Sequence, residues 1–154
     1  MGDQGASLAY FVRHEGPLGG RALHHFAVSC MAALARLHGG DTAGLRMSRD
    51  SVALGGRGQV LIGWETSGTS YEGAAADDVR AWADLVVFAA TGTEDGDPRI
   101  LPPALRLAVE QCRHPDPGAR PRSVDVLRVL LGRSVAAAMA SVDGLLSGAH
   151  RRVG

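Results

Sequence analysis

Read for the spacing of its apolar positions, the chain is helical over most of its length. Ser7 can cap a short helix, LAYFVRH, which the EGPLGG turn closes. A longer helix follows from about Arg21 to His38. In it Leu23, Phe26, Ala27, Cys30, Met31, Leu34 and Leu37 recur at i, i+3, i+4, i+7 spacing, and Gly39-Gly40 ends it. The period then changes. Val52–Leu54 and Val60–Ile62 are short apolar runs divided by GGRG, which reads as two strands joined in a tight hairpin rather than as a phosphate loop leading into a helix. A loop rich in Ser, Thr and Gly over 66–73 leads to a third helix, expected to start near Asp77, where two adjacent carboxylates suit a helix N-terminus. Its buried stripe is Val79, Trp82, Leu85, Val86 and Ala89, with Phe88 also expected in the core, and Gly92 ends it. Beyond the polar TEDGDP loop, Pro102-Pro103 opens a helix running through Arg113, and HPDPGARP forms a rigid turn. Ser123 can then cap a helix to Leu131, and an Ala-rich helix over about 134–147 precedes a frayed tail. The expected fold is mainly α with one small β-hairpin. Residues 1–6 are expected to be disordered, 7–131 to form the domain, and 132–154 to add a helix and tail.

Composition narrows what such a fold can do. With 154 residues and 45% hydrophobic content, the chain can build the core of one domain. Its 16 basic and 16 acidic residues are interspersed, so no basic face for nucleic acid is expected, and Arg151-Arg152 reads as a solvated tail pair. Asp84 and Asp143 interrupt the two most apolar segments, and MGDQGASLAY lacks the basic-then-apolar pattern of a secretory signal. Cys30 and Cys112 lack CxxC spacing and fall on helical patterns, which suits buried free thiols in a reducing, cytoplasmic setting. All the basic residues are Arg. With no lysine in the sequence, Schiff-base chemistry and a P-loop lysine are both excluded.

Neither metal nor hydrolase chemistry is expected. His24 and His25 are helix neighbours pointing about 100° apart, Glu110 and His114 at i, i+4 supply only two groups, and HExxH is absent. No G-x-S-x-G motif occurs.

Three stretches carry a resemblance to a known family. SLAYFVRHEGPLGGRALHHFAVSCMAALARLH, AAADDVRAWADLVVFAATG and LPPALRLAVEQCRHPDPGARPRSVDVLRVLL follow one another as the helices of the C-terminal lobe do in bacterial Ser/Thr protein kinases, particularly the actinobacterial type. The third is the most specific, because its D-P-x-x-R-P turn (Asp116 to Pro121) sits between two amphipathic helices. The resemblance covers about residues 7–131. It implies a protein-kinase C-lobe with the N-lobe absent, since the six residues ahead of Ser7 are too few for that lobe's strands.

The resemblance also implies what each position should do. Kinases carry a loop reading roughly HRDLKPSN, with DFG about seventeen residues beyond its Asp. Setting IGWE against IDFG places Gly63, Trp64 and Glu65 in the DFG slots. Gly44, Leu45 and Arg46 then fill the HRD slots, Ser48 the lysine slot and Ser51 the asparagine slot. Reading Ser48-Arg49-Asp50 as HRD leaves too short a span to Gly63 and puts Gly55 at the asparagine slot. Phosphoryl transfer needs a carboxylate to take the substrate proton and oxygen ligands to hold Mg²⁺. Arg46 is permanently charged and accepts no proton, Gly63 has no side chain, and Ser51 is a weak neutral ligand. No catalytic residue, metal, ATP or other cofactor is therefore expected.

Other positions are expected to serve structure. Asp78 matches the family's central-helix Asp, which binds backbone N–H groups of the catalytic loop; the bland alternative is a plain helix cap. Arg120 matches the Arg that pairs with the Glu of APE, and Glu72 is its candidate partner in a shortened segment, GTSYEG. Trp64 is either a core aromatic or part of an apolar surface that a missing N-lobe leaves uncovered. The expected role is a catalytically inactive interaction module with a protein partner or a second copy of itself. The alternative is an active or ATP-binding kinase that recruits an N-lobe from another chain or region.

Overall fold

The computed structural model of the protein describes residues 6–40, 42–45, 47–54, 60–62 and 73–132. Helix α1 spans Leu8–Glu15, and the Ser7 hydroxyl accepts the Tyr10 N–H at 3.1 Å. Helix α2 spans Gly20–Gly39, α3 Ala74–Thr91, α4 Pro103–Cys112 and α5 residues 123–132. Short 3₁₀ turns at Pro98–Ile100 and Pro117–Ala119 lead into α4 and α5. Strands β1 (Ala6–Ser7), β2 (Val52–Leu54) and β3 (Val60–Ile62) form one antiparallel sheet in the order β1-β2-β3.

Three boundaries differ from the sequence reading. The hairpin gains a third strand, because Ala6 pairs with Leu54 and Ser7 with Ala53; Ala6 is thus ordered in β1. Helix α3 starts at Ala74, not near Asp77. Ala74, Ala75 and Ala76 are strong helix formers, and Gly73 at φ 87 supplies the left-handed turn that lets them begin. Ser123 is the first residue of α5 rather than its cap; the Asp125 and Val126 N–H groups donate to the Arg122 carbonyl, and the Ser123 hydroxyl is used elsewhere. Residues 133–154, including the expected Ala-rich helix, lie outside the described residues.

Helix α3 is the axis of the domain, packing against α2 on one side and α4 on the other. That position explains why its apolar stripe is wider than periodicity implied. Leu85 to Ala90 are all buried, as expected of a helix covered on most sides. Gly92 ends α3 at φ 90, its N–H returning to the Phe88 carbonyl at 2.7 Å. Trp82 is fully buried and donates its indole N–H to the Ala27 carbonyl at 3.0 Å, joining α3 to α2. Trp82→Phe keeps the apolar contacts but loses that hydrogen bond and some volume. A loss of about 1–2 kcal/mol is expected, readable as a shift in the urea midpoint without a change in slope.

Candidate functional site

Residues 42–45 and 47–51, between α2 and β2 in sequence, lie against α3. What fixes this loop is Asp78, a carboxylate only 3% exposed. Oδ2 accepts the Gly44 N–H at 2.9 Å, and Oδ1 accepts the Leu45 N–H at 2.8 Å. Gly44 has φ 75, a conformation glycine adopts without strain, and this conformation presents its N–H to the carboxylate. Leu45 is fully buried, so the loop is pinned by a charged acceptor at its backbone and by an apolar anchor beside it.

A third donor completes the carboxylate. His38 Nε2 lies 2.8 Å from Asp78 Oδ2, and His38 Nδ1 lies 2.8 Å from Ser123 Oγ. An ionised carboxylate can only accept, so Nε2 carries the proton and Nδ1 meets the serine hydroxyl. The chain of bonds runs from the N-terminus of α5 through the end of α2 to α3 and the loop. Among the described residues, no buried side-chain nitrogen or oxygen lacks a partner. Sequence reading missed His38 and Ser123. The signal was present: His38 falls four residues after Leu34 and seven after Met31, so it continues the buried stripe of α2. A polar residue in that register, followed by Gly39-Gly40, needs a buried partner.

Ser48 and Ser51 close the turn. The Ser48 N–H donates to Ser51 Oγ at 2.8 Å, and the Ser51 hydroxyl donates back to the Ser48 carbonyl at 3.2 Å. Ser48 Oγ accepts the Asp50 N–H at 3.3 Å. Asp50 itself is exposed. Arg49 holds its guanidinium over the Phe88 ring, 5.2 Å from the centroid, and its carbonyl accepts the Ala9 N–H at 3.0 Å. The loop thus touches α1 and the end of α3 as well as Asp78.

Arg120 keeps its side chain largely covered, 4% exposed. Its Nε donates to the His114 carbonyl at 2.8 Å and its Nη1 to the Ala76 carbonyl at 3.1 Å; Asp77 Oδ1 is 3.7 Å away. It therefore ties the 113–122 turn to the first turn of α3. Glu72, its expected partner, lies outside the described residues, as do Arg46, Gly63 and Trp64. Glu110 pairs with Arg106 at 3.2 Å rather than with His114. Among the described residues no group of three or more His, Cys, Asp or Glu could hold a metal ion, and no helix is long and apolar enough to cross a membrane.

No protein-family model matches the chain, and no curated protein matches it. Solved structures do. A crystal structure of Rad53 1-466 in complex with AMP-PNP matches with a TM-score of 0.67 at 14% identity, over 80% of this chain and 43% of that one. A crystal structure of the Rad53 kinase domain and SCD2 in complex with AMPPNP matches with a TM-score of 0.67 at 16% identity, over 80% of this chain and 64% of that one. The chain has a protein-kinase-like fold, corresponding to the helical C-lobe-like region. It spans less than two thirds of either neighbour's length, and at these identities the likeness is one of fold.

Proposed function

We propose that this chain is a pseudokinase C-lobe: a kinase-like helical domain that transfers no phosphate and works in cytoplasmic signalling by binding another protein. The observation that carries the reading is the grip of Asp78 on the Gly44 and Leu45 N–H groups. If that grip corresponds to the one by which kinases hold the first residues of HRD, the next residue, Arg46, stands where the proton-accepting Asp belongs. A guanidinium cannot take that proton. The rival register, with Ser48-Arg49-Asp50 as HRD, would need Asp78 to hold Ser48, whose N–H is given to Ser51 instead. Ser51, at the asparagine slot, spends its one hydroxyl proton closing the turn. Gly63 at the metal-binding slot adds no oxygen.

A second reading draws on the neighbours, which are complexes with AMP-PNP. On it, this chain supplies the floor of a nucleotide site and another chain or region supplies the rest. One pair of measurements separates the two. With Mg²⁺ and γ-labelled ATP, the purified protein is expected to label neither itself nor a general acceptor protein, and Mg–ATP is expected to leave Tm unchanged. Binding at about a hundred times Kd would add about 2.7 kcal/mol, a shift of several degrees. Label transfer would end the pseudokinase reading. A Tm rise without transfer would favour the second. Affinity capture from the native lysate, run beside a Trp64→Ala variant, tests for a partner and for that residue's place at the interface.

A further inference from the structure

A cleft of about 530 Å³ opens between α1, the 48–51 turn and the C-terminal end of α3. Apolar groups supply part of its floor: Ala9 and Val12 from α1, Pro17, and the Phe88 ring, with Val12 and Phe88 themselves largely buried. Two exposed guanidiniums, Arg13 and Arg49, border it with the single carboxylate of Asp50. Among the described residues neither arginine is in an ion pair. Arg49 lies over Phe88, which holds a guanidinium while leaving its N–H edge open to a carboxylate. Thr91, also at the cleft, has its hydroxyl committed to the Val87 and Thr93 carbonyls, so the arginines are the polar donors left to a ligand there.

We infer that this cleft is the docking site for an acidic segment of a protein partner, one carboxylate side chain bound by Arg13 and Arg49 and an adjacent apolar side chain set against Ala9 and Pro17. The inference deepens the interaction reading above and rests on it. Charge complementarity chooses the occupant: two cations against one anion reject a basic segment and favour an acidic one. An apolar floor beside the cations selects a peptide with a hydrophobic residue next to its acid over a bare anion. Asp50 sets the limit, repelling a second carboxylate placed beside it.

The test is fluorescence anisotropy on the intact chain with two labelled seven-residue peptides, one of glutamates around a central leucine and one of lysines around the same leucine. The acidic peptide is expected to saturate and the basic one not. Arg13→Gln/Arg49→Gln should weaken the acidic peptide by about tenfold or more, and Asp50→Asn should tighten it. Binding should also weaken as salt is raised. All three side chains are exposed, so unchanged circular dichroism and no more than a small fall in Tm, from the lost Arg49–Phe88 contact, are expected for the variants; if the double variant unfolds, Arg49→Gln alone gives the same comparison. No saturable acidic binding, equal binding by the lysine peptide, or affinity indifferent to the arginines overturns the inference. Those results would leave a partner captured through another face intact, whereas phosphotransfer would defeat the interaction reading itself.

Discussion

Asp78→Ala is expected to remove about 3–5 kcal/mol of stability and to lower Tm by roughly 6 to 20 °C. The reason is the number of groups the substitution abandons. Two loop N–H groups and the His38 imidazole converge on this one carboxylate, and the two buried N–H groups cannot turn to water without opening the packing around Leu45. A buried donor left unmet costs about 1–3 kcal/mol, so even partial relaxation leaves a large deficit. Against a total stability of about 5–15 kcal/mol, the variant stands near the edge of folding. Asp78→Asn distinguishes the cause. It keeps the shape but replaces one acceptor with an amide donor facing a donor, so it should recover only part of the loss. His38→Ala, which leaves both loop bonds intact, should cost less than either. Calorimetry or urea titration of the three variants checks the order. Equal losses for Asp78→Asn and His38→Ala, or a loss below about 1 kcal/mol for Asp78→Ala, would remove Asp78 from the centre of the network.

The helices were readable because their signals are local. Ser7, the Leu23-to-Leu34 stripe, Gly92 and the prolines before α4 each act within a turn or two of chain, and each element forms close to where those residues place it. What misled was also local, but overruled from a distance. Asp77 and Asp78 look like a helix start, yet α3 begins at Ala74 and Asp78 serves a loop more than thirty residues away in sequence. Ser123 looks like a cap, yet its hydroxyl meets His38, 85 positions distant. The contribution of β1 could not be read from two residues, AS, whose strand character exists only through pairing with β2. At the site, the loop's register could be argued from spacing and the Asp78 hold on it from the resemblance, but the part played by His38 and Ser123 is a tertiary fact. The cleft beside Arg49 is legible in no single segment, since α1, the turn and α3 each supply only one side of it.

The protein is expected to lose stability steeply as pH rises above about 8.5, and its two thiols are the cause. Burial pushes Cys30 up to about 12. It does the same to Cys112, against a weaker opposing pull from the Arg120 charge. In the unfolded chain a thiol ionises near 8.5. Below that pH both states hold the proton and the thiols are indifferent. Above it the unfolded state releases protons that the folded state retains, so folding weakens by about 1.4 kcal/mol per pH unit for each thiol. The fall ends only as pH passes the folded values near 12. By pH 10.5 the pair removes roughly 5 kcal/mol, as much as many domains possess. The composition makes the measurement unusually clean. There is no lysine to titrate in this range, arginine stays charged, and only two tyrosines add to the signal. Urea midpoints between pH 8 and 10.5 should fall for the native sequence and stay nearly level for Cys30→Ala/Cys112→Ala, which starts lower because of the cavities it leaves. Parallel slopes in the two proteins would mean that the alkaline loss comes from elsewhere.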